Sequence, residues 1–151
     1  MNRRITLASV AARIEARLDQ LLGVVKIGTA LDSDFTATVG NPTHWPAVWV
    51  GGQRSQPGPA TRRTSLMRQE VGIIFAVRVI VAKVVAGETT QEERMNAIAD
   101  GVADVLIGWT PPGADMSIEW MDSQDGPAEQ SVMTVDLVFK TRTTYQYNPA
   151  G

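Results

Sequence analysis

The chain contains no cysteine and a single histidine, His44. The first absence excludes disulfides, thiolate metal sites and cysteine nucleophiles, and a disulfide-free chain suits a reducing cytoplasm. The second leaves histidine-dependent catalysis to one residue in the loop-like stretch NPTHWPAVW, with no nucleophile or orienting carboxylate beside it. Also missing are the GxSxG elbow, the HExxH zinc helix, the P-loop and the GxGxxG dinucleotide fingerprint. No apolar run reaches the roughly 20 residues of a membrane helix; the longest, VGIIFAVRVIVAKVVAG, is broken by Arg78 and Lys83. The opening MNRRITLASVAARIE reads as a helix face rather than a signal peptide. Aromatic residues are few, and the tryptophans Trp45, Trp49, Trp109 and Trp120 are expected to fill core and loop-anchoring positions rather than a ligand cage.

What is present is the composition of a globular domain: 151 residues, 44% hydrophobic and 20% charged. A chain of this size buries roughly 68–70% of its unfolded surface, so one domain over residues 1–151 is expected. The net charge is only −2 but unevenly spread. Residues 1–83 hold eleven basic and five acidic side chains, whereas residues 84–151 hold three basic and eleven acidic. Either the two halves interleave into a neutral surface, or the molecule has opposite poles suited to head-to-tail association with its own copies. A dedicated nucleic-acid binder would be more basic.

Periodicity gives the order α-β-β-β-α-β-β. Leu7, Val10, Ala11, Ile14, Leu18, Leu21 and Leu22 recur on one helical face, with Gly23 as the stop. VVKI (24–27) and PAVWVGG read as strands. The strongest strand is EVGIIFAVRVIVAKVV (70–85), in which Val71, Ile73, Phe75, Val77, Val79 and Val81 share a wholly apolar face. At ~3.3 Å per residue it would run roughly 50 Å, so it is expected to bend or to project beyond its sheet. A second helix is expected from a Thr90–Glu93 capping box to Gly108, with Met95, Ile98, Ala99, Val102, Val105 and Leu106 on its apolar face. SIEWMD (117–122) and QSVMTVDLVFKTRTTYQ (130–146) close the chain as strands joined near Asp125-Gly126. The fold class is therefore α+β: a mainly antiparallel, mixed sheet with two amphipathic helices packed on one face.

The carboxylates propose no chemistry. Asp32 and Asp34, and Asp122 and Asp125, read as acidic turns that lack calcium-loop spacing. Asp100 and Asp104 lie on the solvated side of the second helix. No metal, cofactor or catalytic set is implied, and the expected protein is not an enzyme.

One segment stays unexplained by these elements. GGQRSQPGPATRRTSLMRQE (51–70) lies between two strands and carries Arg54, Arg62, Arg63 and Arg68 against one acid, Glu70. Connections longer than about 12–15 residues without structure of their own are usually functional or disordered. Residues 52–69 are either a flexible hairpin loop kept soluble by its arginines, or a protruding arm that orders against a partner. The planar guanidinium fork bridges carboxylates and stacks on flat groups, so the acidic half of a neighbouring copy is a natural target. A phosphate backbone is the other candidate, although four arginines make a modest footprint for it.

The opening VAARIEARLDQLL followed by VVKIG, the mid-chain PAVWVGG and the strand RQEVGIIFAVRVIV carry a family resemblance. So do the helix ending VADVLIGWTPPGAD and the final VMTVDLVFKTRTTYQ. In this order they resemble the bacteriophage tail terminator (tail completion) proteins of the Mu-like and lambda-like minor tail family, and LIGWTPP is the most distinctive piece. The resemblance implies a structural virion protein of the phage tail or neck, assembled in the host bacterial cytoplasm. It implies a six-membered ring on the head-proximal end of the tail tube that stops tube polymerisation and offers a surface for head joining. Implied partners are its own copies, the tail tube protein and a head-completion or connector protein, with DNA only as cargo crossing the channel, and no membrane. No catalytic residues come with the family. The basic segment would be the arm that meets the tube and neighbouring subunits. Two other readings stand beside this one: another neck, connector or tube-ring protein, and a small α+β module that binds nucleic acid or peptide.

Overall fold

The alternation of Val71, Ile73, Phe75, Val77, Val79 and Val81 puts six apolar side chains on one face of a strand, and every one of them is buried. That face is the floor of the core. The computed structural model describes residues 5–30, 45–63, 66–82, 88–126 and 132–147. Within them the elements run α1 (Leu7–Arg17), a 3-10 turn (Gln20–Leu22), β1 (Lys26–Thr29), β2 (Ala47–Arg63), β3 (Leu66–Ala82), α2 (Glu88–Leu106), β4 (Glu119–Asp125) and β5 (Val132–Tyr147). The strands form one five-stranded sheet in the order β1-β2-β3-β5-β4. Only β1 and β2 are parallel; β2–β3, β3–β5 and β5–β4 are antiparallel. The α+β expectation, mixed sheet included, is met.

Both helices lie on the apolar face. Leu7, Val10, Ala11 and Ile14 of α1 and Met95, Ile98, Ala99, Val102 and Leu106 of α2 join Val48, Val50, Phe75, Val77, Leu137 and Phe139 in one buried cluster. Phe75 and Phe139 are register partners on β3 and β5, and their rings stack with centroids 5.7 Å apart. Among the described residues no helix is long and apolar enough to cross a membrane.

The helix ends differ from the periodicity in three ways. α1 stops at Arg17, capped at its start by Thr6, whose side chain accepts from the Ser9 N–H. The chain then makes a separate 3-10 turn that ends on Gly23 in the left-handed region (φ 72). Because that turn changes direction, Leu18 stays buried while Leu21, expected on the apolar face, is 92% exposed. α2 begins at Glu88, so Thr90 lies inside the first turn instead of capping it. Its end is as expected: Gly108 takes φ 85, and its N–H donates to the Ile118 carbonyl.

Asp122 and Asp125 are also corrected. They are not turn residues, because both belong to β4, which begins later and runs further than SIEWMD suggests. Trp120, expected to fill a core position, stands on that strand 55% exposed.

Candidate assembly surface

The described part of the basic segment, all but residues 64–65, is β-strand rather than loop. β2 continues through it to Arg63, and β3 begins at Leu66, so the two long strands form an extended hairpin. β5 runs alongside as far as Tyr147, which is level with Met67, and the hairpin becomes a three-stranded arm. β3 starts at Leu66, four residues before the anticipated 70, and runs to Ala82, with 83–85 outside the described residues; its early start is what builds the arm. Past Gly52 the β2 residues from Arg54 to Arg62 are all exposed except Gly58, so both faces of the strand meet solvent there.

Two irregularities shape the arm. Gly52 has φ +63, and the register jumps between Gly51↔Ala76 and Arg54↔Ile74, which makes one extra β2 residue opposite Phe75. A glycine in the left-handed region followed by an extra residue is the bulge that bends and twists a strand. It marks where the buried body of β2 (Val48, Val50) gives way to the exposed arm. A second shift between Pro57↔Val71 and Ala60↔Gln69 accommodates Gly58 and Pro59. There the Gln69 side-chain amide donates to the Gly58 carbonyl at 2.7 Å, and a Cβ on Gly58 would lie 3.2 Å from the Glu70 carbonyl oxygen.

The root of the arm is buttressed from the side. Thr141 and Thr143, both buried, donate their hydroxyls to the carbonyls of Met116 (2.5 Å) and Gly113 (2.9 Å). The Asp115 N–H donates to the Arg142 carbonyl at 2.8 Å. These bonds tie the loop after α2 to β5 at the root of the arm.

The four arginines do not converge. Arg54, beside the bulge, lies on the helix-free side, level with Ile74. Arg68 is on the same side, opposite Thr61, whereas Arg62 is level with Met67 and points to the other face. Arg63 ends β2 at the tip, level with Leu66. Arg54, Arg62 and Arg68 are exposed. They are distributed along the arm rather than gathered into an anion pocket. A shallow hollow of about 620 Å³ on the helix-free side is lined by Pro59, Thr61, Leu66, Arg68, Glu70 and Gln146. Glu70 is held by Arg142 at 3.0 Å.

A polar arrangement on the helix-free face of the body was not foreseen. Arg78, on β3, makes a two-pronged ion pair with its register partner Asp136 on β5 (2.7 and 3.0 Å). Its guanidinium also lies 5.5 Å from the ring centre of Trp49, its register partner on β2. The sequence offered only a lone arginine in VRVIV and a lone aspartate in TVDLV, and their pairing depends on strand register. Of the residues weighed for chemistry, His44, Asp32 and Asp34 lie outside the described residues. Asp100 and Asp104 are exposed on α2, as expected.

The same fold occurs in a chain from the virion of a native gene transfer agent (GTA) particle. That chain is 19% identical, with a TM-score of 0.63 over 93% of this chain and 96% of that one. The core region of PilO from the type IV pilus system of Pseudomonas aeruginosa aligns over 81% of this chain and 96% of its own at 13% identity. Its TM-score of 0.30 is too low to relate the folds. No curated protein matches the sequence. A family model, phage tail terminator protein, matches residues 4–149. An exposed basic arm on a helix-backed sheet, with nothing resembling a catalytic set among the described residues, is thus the form taken here by a structural phage tail protein: the chain belongs to the phage tail terminator family.

Proposed function

We propose that the protein closes into a ring, a hexamer of its own copies, on the head-proximal end of the tail tube. There it ends tube polymerisation and presents the surface to which a head-completion or connector protein joins. The arm carrying Arg54, Arg62, Arg63 and Arg68 is its contact element toward the tube and neighbouring copies, and DNA crosses the central channel only as cargo. Residues 1–151 act as one domain in this role.

The observation that carries the reading is the arm. A hairpin of this length, exposed on both faces of β2 and tied at its root by Thr141 and Thr143, contributes no β2 residue past Gly52 to the buried core among the described residues. Membership of the terminator family and the shared fold with a chain of the GTA virion support placing that arm in an assembly. The uneven charge supports contacts in which one surface meets a different one, as ring closure requires.

Light scattering across a concentration series tests the ring. Six chains of 16.3 kDa give about 98 kDa, far from the monomer mass. Where the free protein is monomeric, electron microscopy with purified tail tubes should show a single terminal ring on one tube end and tubes that no longer elongate. Decoration along the tube or growth into long tubes would identify a tube subunit instead. A strongly salt-sensitive affinity of the free protein for DNA would favour a nucleic-acid module.

A further inference from the structure

Among the described residues β4 is an edge strand: all seven of its residues are exposed and it pairs with β5 alone. The unpaired backbone groups of such an edge recruit another strand, while charges and bulges restrict which strand it accepts; β4 carries three acids and a register shift between Trp120 and Asp122. This edge also bears Trp120 and Met121, 55% and 46% exposed. Around them stand the acids Glu119, Asp122 and Asp125. The opposite side of the sheet differs in charge. β1 covers β2 only from Ala47 to Val50, and beyond that no described strand lies on the outer side of β2, where Arg54, Arg62 and Arg63 are carried.

Resting on the ring reading above, we infer that the subunit seam is sheet-to-sheet: β4 of one copy seats along the outer edge of β2 of the next. The occupant is a second copy of this chain. One acidic, aromatic edge and one basic edge at opposite sides of a single sheet form a heterologous pair, and repetition of that pair closes a ring. The strand senses agree. β2 and β4 run antiparallel within the sheet, so copies standing side by side bring them together antiparallel.

A stagger that keeps the faces matched is available. Directly opposed antiparallel residues share a face, so the shift between copies is an even number of residues. Asp122 is level with Val138 and so with Ala76, and Arg54 is level with Ile74, both on the helix-free side. A shift of four residues, roughly 14 Å at ~3.4 Å each, sets Asp122 level with the neighbour's Gln56, two residues from Arg54 on the same face. Four inter-strand steps of ~4.8 Å separate one β2 from the next, about 19 Å, so the shift corresponds to a strand tilt of ~35°. Strands in closed sheets tilt by about 35–45°.

Because the chain lacks cysteine, the seam can be read covalently in the full-length protein. Gln56→Cys and Gln124→Cys place single thiols on exposed residues of the helix-free side of β2 and β4. A short bifunctional maleimide should then give a ladder of covalent oligomers only when both cysteines are in one chain and only under ring-forming conditions. Asp122→Arg with Asp125→Arg should abolish the ring, and adding Arg54→Glu with Arg62→Glu to that chain should restore it. A ring of the expected mass that yields no ladder, or that tolerates Asp122→Arg with Asp125→Arg, overturns this seam and leaves the ring reading standing. A chain that stays monomeric both in solution and on purified tail tubes overturns the two together.

Discussion

Phe75→Ala is the most direct test of how β3 faces the core. Phe75 is fully buried, lies directly across from Phe139 on β5, and faces the Gly52 bulge of β2 on its other side. Its ring is stacked on that of Phe139 under the two helices. Truncation removes the transfer energy of a benzyl group and leaves a cavity that a β-sheet floor with backbone pairing on both sides cannot collapse, so the expected cost is about 3–5 kcal/mol. Of this, ~0.5–1.5 kcal/mol belongs to the ring pair itself. The double variant with Phe139→Ala should accordingly cost less than the sum of the two singles by about that amount. In urea, with a slope of roughly 2 kcal/mol/M, the midpoint should fall by about 1.5–2.5 M. By heat, at about 2–4 °C per kcal/mol for a chain of this size, the drop should be roughly 6–20 °C. The measurement belongs at concentrations where the wild type is monomeric, since assembly adds its own stabilisation. A loss under about 1 kcal/mol, typical of surface positions, would mean that the odd-numbered face of β3 is not the core face.

Two further outcomes follow from the same structure. Arg62→Glu with Arg63→Glu, at the end of β2, should leave the monomer's unfolding free energy within ~0.5 kcal/mol while weakening assembly on tubes; a large fall in thermal midpoint would make the pair structural. For Arg78 and Asp136, whose side chains are 30% and 15% exposed, a double-mutant cycle with Arg78→Ala and Asp136→Ala should return a coupling of about 1 kcal/mol. Two short charge-assisted bonds raise that figure and solvent screening lowers it. A coupling near zero would show that Trp49 and the strand backbone hold Arg78 without its carboxylate.

The arm illustrates why part of the architecture was hidden. GGQRSQPGPATRRT offers no alternation of apolar residues, and its prolines and glycines signal a loop. What makes it a strand lies elsewhere. β3 already sits between β2 and β5, and its backbone offers a ladder that residues 54–63 follow through two register shifts. Tertiary pairing overrides local propensity in sheets more readily than in helices. The same cause hid the end of β4. SQD after the anticipated SIEWMD strand has turn-like chemistry, yet β5 supplies a template as far as Val135. Leu21 misled for the opposite reason: its spacing continues the α1 pattern, but the chain leaves the helix at Arg17 and the periodicity no longer describes a face.

The sequence by itself determined what depends on neighbours in the chain. The period-two face of β3, the 3.6-period faces of α1 and α2, the glycine stop at Gly108 and the α+β order all follow from spacing and local backbone preference. It also carried the charge imbalance and the arginines of residues 54–68. Only the tertiary structure decided that those arginines ride on a three-stranded arm, that Arg78 meets Asp136 and Trp49, and that an acidic edge and a basic edge end up on opposite sides of one sheet. Each is a relation between strands distant in sequence. A register shift of one residue reverses the face of every side chain, so such relations are set by hydrogen-bond pairing across the sheet and cannot be read along a single strand.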